Sequence, residues 1–426
     1  MHVYDYIVIG GGLSGLYSAL ALSGIAGAKV LVIEQSPRLG GRIHTIHTPA
    51  NHIEMGAGRI ADSHHHMRRL VKYLGLGLTP ARPTIRYAIT NTIKDMRPMD
   101  EHSGFYQTVE RLVSRQSDPL ARSRTVYGYV RELDGVDCAD QLVWEFGHDD
   151  DLLYQNARMG MDMFKRDFAR TTKYHGVVGG FDRVIDAIRA KLKGMGHMVD
   201  VIHGTVVEVT KQHGVYGCVA GESVYMARNL IVTTTLQDMR KIKMFQPIDH
   251  IYEPVLRTKS LVRIYMVFPP YHTKNGTHIS KPWFDDLNGM IVSRTLVRQI
   301  IPIDKSTGLV MVAYADGSHA VNLEGCGAVD VVHALRHIFV DRHIPDPVKV
   351  YKKYWHDATH IWTQYVDRSD MRRLMRPIAT ESIYYVGEAI SPIHGWTEGA
   401  IWSVNFFMKM YMGHLEVVTK GNRDHI

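Results

Sequence analysis

The 426-residue sequence contains few cysteines and no apolar segment long enough to cross a bilayer. Its three cysteines, Cys138, Cys218 and Cys326, lie far apart and are odd in number, which is typical of reduced thiols in a cytosol-like compartment. A membrane-spanning helix needs about 20 consecutive apolar residues. The first apolar run leads directly into glycines, unlike that of a signal peptide. We therefore expect a cytoplasmic protein without a transmembrane segment.

Runs of like charge are also missing, although the formal net charge is +7. Because the basic residues are scattered, the sequence indicates no specific binding of nucleic acid. Three consecutive histidines, 64–66, do not indicate a metal site, since neighbouring side chains on a helix diverge by about 100°. Internal repeats are absent, and a chain of this length exceeds what one simple core usually accommodates. One large domain with an insertion, or two interleaved domains, is expected.

What the sequence does contain is a glycine-rich turn between a predicted strand and a predicted helix. In YDYIVIGGGLSGLYSALALSG, residues Gly10, Gly12 and Gly15 form the pattern G-x-G-x-x-G. Such glycines allow a tight turn, close approach of the backbone to a pyrophosphate and close packing of helix on strand. The next predicted strand, KVLVIE, ends at Glu34, where an acidic side chain accepts hydrogen bonds from a ribose. This βαβ arrangement predicts a dinucleotide-binding site.

The rest of the chain alternates between helical and strand-like regions. Residues 63–173 have mostly helical spacing, short β segments run from 197 to 235, and longer ones lie between 258 and 315. A final strand, IYYVGEAI, precedes the helical segment HGWTEGAIWSV. Because elements typical of dinucleotide binding occur at the start, middle and end, we predict an α/β fold. In it, a discontinuous Rossmann-like domain carries an inserted α+β domain made of a mixed sheet and helices.

The segment after the second strand distinguishes FAD from NAD. EQSPRLGGR, residues 34–42, matches E-x-x-x-R-x-G-G-R and resembles the flavin amine oxidase family, which includes monoamine, polyamine and L-amino-acid oxidases. Further segments resemble that family in the same order, namely IEMGAGR, VVGGFDRVIDAI, VIHGTVVEVT and YYVGEAISPIHGWTEGAIWSV. We accordingly place the FAD-binding domain at 1–62, 175–250 and 380–426. The substrate domain then has a helical part, 63–174, and a sheet part, 251–379.

The resemblance implies a set of positions that contact FAD. Arg42 supplies a cation near the diphosphate and ribityl, while the start of the C-terminal helix offers positive potential to the ring carbonyls. The implied cofactor-binding residues are Gly10, Gly12, Leu13, Ser14, Gly15, Glu34, Gln35, Gly41, Arg42, Gly56, Ala57, Gly58, Arg59, Val206, Gly387, Glu388, Gly395, Trp396, Thr397 and Ala400. No cysteine follows Cys326, so the covalent link of monoamine oxidases is missing and FAD is expected to be bound non-covalently.

Four residues are implied in contacting the substrate. Arg59 stands where L-amino-acid oxidases have an arginine that grips the substrate carboxylate, and a guanidinium suits bidentate recognition of a carboxylate. A salt-bridged structural arginine is the alternative. Gly395 and Trp396 match the positions beside the flavin ring, and a tryptophan packed in the core is the alternative for Trp396. Tyr365 matches the second wall of an aromatic cage.

Two departures from the family pattern bear on turnover. Alignment of SLVRIYMVF puts Arg263 where the family usually has a lysine beneath flavin N5, and arginine is bulkier and does not deprotonate at working pH. The tyrosine that amino-acid oxidases use as a further carboxylate contact is replaced by Ile300 or Ile301 in VRQIIPID. The first departure bears on the rate of flavin reoxidation by O2 and of imine hydrolysis, and the second implies that Arg59 binds the carboxylate without a tyrosine hydroxyl.

The resemblance implies an FAD-dependent oxidase that deaminates an amine, and the arginine at position 59 favours an L-amino acid. Its products are an oxo acid, ammonia and H2O2, with O2 as the electron acceptor. Two alternatives stay open: a monoamine or polyamine oxidase in which Arg59 is structural, and a flavin-binding homologue with reduced or no activity. Whether the protein is a homodimer is also open.

Overall fold

The structure, a computed structural model, describes residues 2–83, 85–100, 103–274 and 277–413. Its chain forms two compact units, each assembled from separate stretches of sequence. The first unit comprises the described residues within 1–81, 174–258 and 366–426, and the second comprises those within 82–173 and 259–365.

The strands are numbered in chain order. They are β1 Val3–Ile9, β2 Val30–Glu34, β3 Thr45–His47, β4 His52–Glu54, β5 Ile60–Ala61, β6 Arg82–Pro83, β7 Arg86–Ile89, β8 Arg97–Pro98, β9 Lys173–His175, β10 Val199–His203, β11 Val206–Gln212, β12 Val215–Ala220, β13 Ser223–Val232, β14 Leu256–Val267, β15 His272–Lys274, β16 Thr277–Ile279, β17 Met290–Ser293, β18 Gln299–Asp304, β19 Leu309–Asp316, β20 Lys349–Trp362 and β21 Ile383–Tyr385.

The helices are numbered in the same way. They are α1 Leu13–Ala26, α2 His65–Tyr73, α3 Gly104–Ser114, α4 Val126–Asp134, α5 Val136–Phe146, α6 Asp149–Leu153, α7 Ala157–Asp167, α8 Asp182–Gly194, α9 Leu236–Arg240, α10 Asp249–Tyr252, α11 Gly317–Gly325, α12 Ala328–Ile338, α13 Arg368–Met375 and α14 Thr397–Met412.

The first unit is built on a sheet of order β10-β2-β1-β13, in which neighbouring strands are parallel. Strand β21 extends this parallel part by pairing with the C-terminal half of β13, and β11 and β12 continue the sheet antiparallel from its N-terminal half. β2 is buried at every residue, as expected for a parallel strand covered on both faces. Helix α1 packs against α8 and α14. The order of the parallel strands is that of a Rossmann-like half.

The second unit contains a mixed sheet of order β20-β14-β19-β18-β17-β7-β8. The inner strand β19 is buried along its whole length, and it pairs antiparallel with β14 and β18. Apolar side chains of this sheet and of α12 form one core, and those of α3 to α5 and α7 form another. The fold class is therefore the predicted one, an α/β unit of Rossmann type with an α+β insertion.

The unit boundaries fall elsewhere than at the positions predicted from sequence. The first comes after residue 81, because α2 packs on α14 and β5 pairs with β9. The last comes before residue 366, because α13 packs on β21. Among the described residues, no helix has the length and apolar character needed to cross a membrane.

Two secondary-structure predictions were wrong in detail. The short β segments expected from 197 to 235 include one long strand, β13, because the backbone of β1 pairs along it through the polar residues Arg228 and Asn229. Residues 63–173 are not helical throughout. Strand β7 in that region joins the second unit's sheet by pairing parallel with β17, a partner some 200 residues later in the chain that local periodicity does not reveal.

Candidate active site

The glycine loop between β1 and α1 forms one wall of the candidate site. Gly10 has a φ of +110°, a backbone conformation that L side chains rarely adopt. A Cβ at Gly15 would overlap the carbonyl oxygen of Gly10, so the turn packs too closely for any other residue. Helix α1 begins at Leu13 with no side-chain hydrogen bond from its N-cap, Gly12. The N-cap residue therefore leaves the positive end of this helix without a capping side chain.

Glu34 ends β2 beside this loop, and its side chain is buried. One carboxylate oxygen accepts a hydrogen bond from the Gly11 amide at 2.6 Å, and the other accepts from the Ser36 amide at 2.8 Å. These bonds orient the carboxylate and leave further lone pairs on both oxygens for hydroxyl donors. The next residue, Gln35, is exposed to solvent.

The arginine–glycine motif after β2 folds back across the glycine loop. The amide of Gly40 donates to the carbonyl of Gly11 at 2.9 Å, and the Cα of Gly41 lies 3.9 Å from where a Cβ on Gly12 would be. The guanidinium of Arg38 donates to the carbonyls of Gly41 and Ile43, both at 2.6 Å. Burial lowers the pKa of Arg38, and the Coulombic attraction of nearby carboxylates opposes that shift. Arg38 thus fixes the course of this loop.

Arg42 was expected to offer its charge to the cofactor diphosphate, but its guanidinium is also paired within the protein. Its Nη1 lies 2.7 Å from Oε2 of Glu388, whose side chain is only 4% exposed. The other oxygen of Glu388 accepts a hydrogen bond from the Gly395 amide at 2.8 Å. Glu388 thus connects the arginine motif to the loop before α14, and any cofactor contact by Arg42 has to share its guanidinium with this carboxylate.

Residues 56–59 lie between β4 and β5 and are half-buried. The Ala57 amide donates to the carbonyl of Arg42 at 3.0 Å, which holds Gly56, Ala57 and Gly58 beside the arginine motif. Val206 begins β11, where its side chain is buried and pairs in register with Ala220.

The C-terminal end of β21 lies against the start of α1. A Cβ at Gly387 would lie 3.7 Å from the hydroxyl oxygen of Ser14, and the Gly387 amide donates to Oγ of Ser403 on α14 at 2.9 Å. The chain then turns at Gly395, with φ of +76°. The glycine motif at one end of the sequence and the helix motif at the other are thereby brought together.

Helix α14 begins at Thr397 without a side-chain hydrogen bond from its N-cap, Trp396. The side-chain oxygen of Thr397 is buried, and no hydrogen-bond partner for it lies among the described residues. The carboxylate of Glu398 is directed elsewhere, since it accepts from the amides of His66 and Met67 at 3.0 and 2.7 Å. Ala400 is buried in the same first turn.

Four side chains form a stacked cluster at this helix start. The ring of Trp396 lies parallel to that of Tyr174, with centroids 5.9 Å apart and an interplanar angle of 10°. Trp396 also meets the ring of His64 edge to face, with centroids 4.8 Å apart. The Cζ of Arg59 lies 5.2 Å from the centroid of the Tyr174 ring. This cluster, Arg59–Tyr174–Trp396–His64, combines a cation and an aromatic wall.

The other predicted residues, Arg263 and Tyr365, belong to the second unit. Arg263 on β14 is buried, and its Cζ lies 4.6 Å from the centroid of the Tyr314 ring on β19, directly opposite in register. Its Nη2 is 3.3 Å from the Tyr314 hydroxyl. Tyr365 is half-buried, with the guanidinium of Arg122 at 4.6 Å over its ring. Both predicted residues therefore take part in cation–π contacts.

The second unit also buries a charged group that the sequence analysis did not single out. Nζ of Lys259 lies 2.6 Å from a carboxylate oxygen of Asp151 and 3.1 Å from one of Asp316. Burial raises the pKa of Asp316 to about 7, while the Coulombic effect of Lys259 opposes that shift. Buried charges of this kind are stabilised by the opposite charges of their neighbours.

Residues 13–403 match the family model of the flavin containing amine oxidoreductases. The chain belongs to that family. It is 25% identical to an L-amino-acid oxidase of Vipera ammodytes ammodytes, with 93% of this chain and 90% of the relative covered. It is 23% identical to the L-amino-acid oxidase of Naja atra, with 93% and 85% covered.

Solved structures confirm the fold of this amine oxidoreductase. Two variants of putrescine oxidase with redesigned cofactor binding superpose with TM-scores of 0.71 and 0.72, at 15% and 16% identity. Each comparison covers 96% of this chain and 99% of the other. The family identifies the cofactor as FAD and the reaction as an oxidoreduction of an amine.

The residues of the first unit fit FAD by their own chemistry. Two helix starts, those of α1 and α14, lack a capping side chain, and such positive ends favour phosphate and other anionic groups. The oriented carboxylate of Glu34 suits ribose hydroxyls. The buried hydroxyl of Thr397 has a hydrogen bond to give or accept. These residues would hold the cofactor in the amine oxidoreductase.

Tyr174 and Tyr314 were not among the residues expected from sequence. Tyr174 stands in KYHGVVGG, directly before the mid-chain glycine motif, so proximity to a family motif was the available signal. Tyr314 carried no signal, because only the β14–β19 register places it against Arg263.

Proposed function

We propose that this amine oxidoreductase is an oxidase of L-α-amino acids that produces a 2-oxo acid, ammonia and H2O2. The observation that supports the proposal is the environment of Arg59. Its guanidinium lies over the ring of Tyr174, and within the described parts of the chain no carboxylate lies within ion-pair distance of it. A buried or half-buried arginine without a counter-ion is a candidate for an anionic ligand.

Comparison with the neighbouring arginines strengthens this assignment. Arg38 donates to backbone carbonyls and Arg42 pairs with Glu388, so each has an acceptor in the protein. Arg59 has an aromatic ring instead, and a ring in a cation–π contact supplies no lone pair to the N–H donors. The fork of donors in Arg59 is therefore free to bind both oxygens of an α-carboxylate.

The residues of this cluster divide the work of binding and orientation. Arg59 binds the carboxylate, with charge-assisted hydrogen bonds that contribute about 1.5–3 kcal/mol. Trp396 covers the Cα region and excludes water from it. FAD, when bound, supplies the two-electron acceptor. The substrate loses two electrons and two protons from its Cα–N unit, water adds to the resulting imine, and ammonia leaves. O2 takes up the two electrons and two protons as H2O2.

A substrate pair that differs only in the carboxylate tests the proposal. L-Leucine and 3-methylbutylamine have the same side chain and amino group, so peroxide formation from each isolates the contribution of the carboxylate. We expect the wild type to favour L-leucine. Arg59→Met should lower kcat/KM for L-leucine about 10- to 150-fold, which corresponds to 1.5–3 kcal/mol. The kcat/KM of the same variant for 3-methylbutylamine should stay nearly the same or rise.

A matched control is available in the same unit. Arg189 on α8 is exposed and forms a surface ion pair with Asp186, so Arg189→Met makes the same change of charge away from the cluster. This variant is expected to match the wild type on both compounds. A wild type that oxidises only 3-methylbutylamine, together with an unaffected Arg59→Met, would contradict the amino-acid proposal.

A second candidate function is the oxidation of simple mono- or polyamines. The observation that favours it is the packing of Arg59 on Tyr174, because a cation–π contact stabilises an arginine even when no ligand is bound to it. The likeness to putrescine oxidase variants concerns the fold. Under this alternative, 3-methylbutylamine or putrescine is the better substrate and Arg59→Met leaves its kcat/KM unchanged.

A third candidate is a flavoprotein of the same fold with little or no turnover. The observation that favours it is the buried contact of Arg263 with Tyr314, because an arginine held in this way does not reproduce a lysine. Bleaching of the flavin absorbance by L-leucine without O2 would exclude an inert protein. If admission of O2 then restores the absorbance slowly, and Arg263→Lys accelerates that step, the substitution limits reoxidation alone.

A further inference from the structure

We propose that Tyr174 is a positioning residue that determines specificity for carboxylate-bearing substrates by holding Arg59 at a fixed distance from Trp396. The inference rests on the proposed function, since it requires that Arg59 bind the carboxylate. It adds a residue for which the motifs predict no role. The substrate class it favours is α-amino acids over amines that lack the carboxylate.

The ring of Tyr174 contacts both Arg59 and Trp396, the two groups proposed to contact the substrate. The Cζ of Arg59 lies 5.2 Å from the centroid of the Tyr174 ring, within the range of a cation–π contact. The same ring is stacked on Trp396 with an interplanar angle of only 10°. A single rigid side chain therefore contacts both the cation and the aromatic wall, and it fixes the distance between them.

The backbone holds Tyr174 in this place independently of its ring. Strand β9 pairs antiparallel with β5, so that Tyr174 is opposite Ala61 and His175 is opposite Ile60, the residue after Arg59. The ring of His175 bonds the carbonyl of Thr79 through Nδ1 at 2.8 Å and the carboxylate of Asp62 through Nε2 at 2.9 Å. Because β5 and β9 are paired, the backbone positions of Arg59 and Tyr174 are fixed relative to each other before a ligand binds.

The physical effect of the ring is preorganisation. A long arginine side chain loses rotamer freedom when it is fixed on a ligand, and a guanidinium already held over a ring has lost part of that freedom. Removing the ring should therefore weaken binding of a carboxylate two- to fivefold, which corresponds to about 0.5–1 kcal/mol. It should not weaken binding of an amine that makes no contact with Arg59.

Two substitutions separate the ring from the hydroxyl. Tyr174→Phe keeps the ring and is expected to behave as the wild type, whereas Tyr174→Leu removes the π face. Tyr174→Met, with a flexible side chain, replaces the Leu variant if that variant does not fold. Tyr73→Leu is the matched control, because Lys191 lies 4.4 Å over the Tyr73 ring and this cation–π pair is unconnected with Arg59.

The measurements use the FAD-loaded full chain and include one that needs no turnover. The dissociation constant of 4-methylpentanoate, which is leucine without its amino group, is read from the perturbation of the flavin absorbance. KM and kcat are measured for L-leucine and 3-methylbutylamine. We expect Tyr174→Leu to raise the dissociation constant of 4-methylpentanoate and the KM of L-leucine two- to fivefold. The kcat for L-leucine should stay unchanged, and so should both kcat and KM for 3-methylbutylamine.

Arg59→Met and the double variant distinguish failure of this inference from failure of the proposed function. If Arg59→Met weakens binding of 4-methylpentanoate and Tyr174→Leu does not, Tyr174 has no positioning role and the proposed function stands. If Arg59→Met itself leaves that binding unchanged, both are overturned. When Tyr174 acts through Arg59, adding Tyr174→Leu to Arg59→Met causes no further loss, whereas an additive loss overturns the inference.

Discussion

The carboxylate of Glu388 is predicted to be the main connection between the arginine motif and the loop before α14. It accepts from Nη1 of Arg42 at 2.7 Å and from the amide of Gly395 at 2.8 Å, and its side chain is 4% exposed. Glu388→Ala removes both bonds and leaves the Arg42 guanidinium without this counter-ion. We therefore expect the substitution to destabilise the protein even when FAD is absent.

The magnitude follows from the burial of the two partners. Removing one partner of a fully buried ion pair costs about 3–5 kcal/mol. Arg42 is 31% exposed, so water replaces part of the lost interaction, and about 2–4 kcal/mol is expected for Glu388→Ala. Glu388→Gln keeps one acceptor oxygen but turns an amide group toward a second donor, and about 1–2 kcal/mol is expected.

A double-mutant cycle of Arg42→Ala and Glu388→Ala isolates the pair. Unfolding of the apoprotein in urea, followed by circular dichroism and tryptophan fluorescence, gives the free energy of each variant. The coupling should be about 1–2 kcal/mol, because contacting charged residues are not additive. Single losses that add within about 0.3 kcal/mol, or a Glu388→Ala variant as stable as the wild type, would refute the reasoning.

Further predictions concern the cofactor and the buried charges. Glu34→Gln should weaken FAD binding about tenfold, because one charge-assisted hydrogen bond to a ribose is lost. Flavin fluorescence titration of the apoprotein measures this, with Glu222→Gln, at an exposed position, as the matched control. Denaturation in acid or detergent should release all of the flavin into the supernatant, and flavin that stays with the precipitated chain would contradict non-covalent binding. Lys259→Met should destabilise the protein by about 3–5 kcal/mol in urea unfolding, because the carboxylate of Asp151 loses its buried counter-ion. Burial raises the pKa of Asp316 to about 7, so the folded state holds a proton that the unfolded state releases above about pH 4. This contribution to stability is complete below pH 4 and is lost as the pH rises to 7. Between pH 5 and 7, the unfolding free energy of the wild type should therefore fall by about 1 kcal/mol per pH unit more than that of Asp316→Asn. Parallel pH profiles of the two proteins would contradict the assignment.

The parts of the site that the sequence predicted are those whose chemistry is local. The glycine loop needs Gly10 and Gly15 because of contacts within one turn, and such constraints leave a fixed spacing in the sequence. Glu34 follows from its place at the end of a strand, and the start of α14 follows from the glycine before an apolar helical pattern. Local rules therefore sufficed for the glycine loop and for the start of α14, whereas FAD was implied by the resemblance of the motifs to a family.

The parts that the sequence did not predict depend on pairing between distant segments. Arg42 and Glu388 are 346 positions apart, and no pattern in either motif indicates that one neutralises the other. The contact of Tyr174 with Trp396 requires both the β5–β9 pairing and the position of α14. Partner choice of this kind is fixed by tertiary structure, whereas motif spacing records only local backbone requirements.

The environment of Arg59 shows how such a partner changes the functional interpretation. The sequence left two roles for this residue, a structural salt bridge or a ligand for carboxylate, and both use the same in-plane N–H donors. A salt bridge would have occupied those donors, as Glu388 does for Arg42. The partner that the structure provides is the face of Tyr174, which stabilises the cation and occupies none of its donors. Structural support and ligand binding are therefore compatible at Arg59, and loss of the ring should affect only substrates that need the cation.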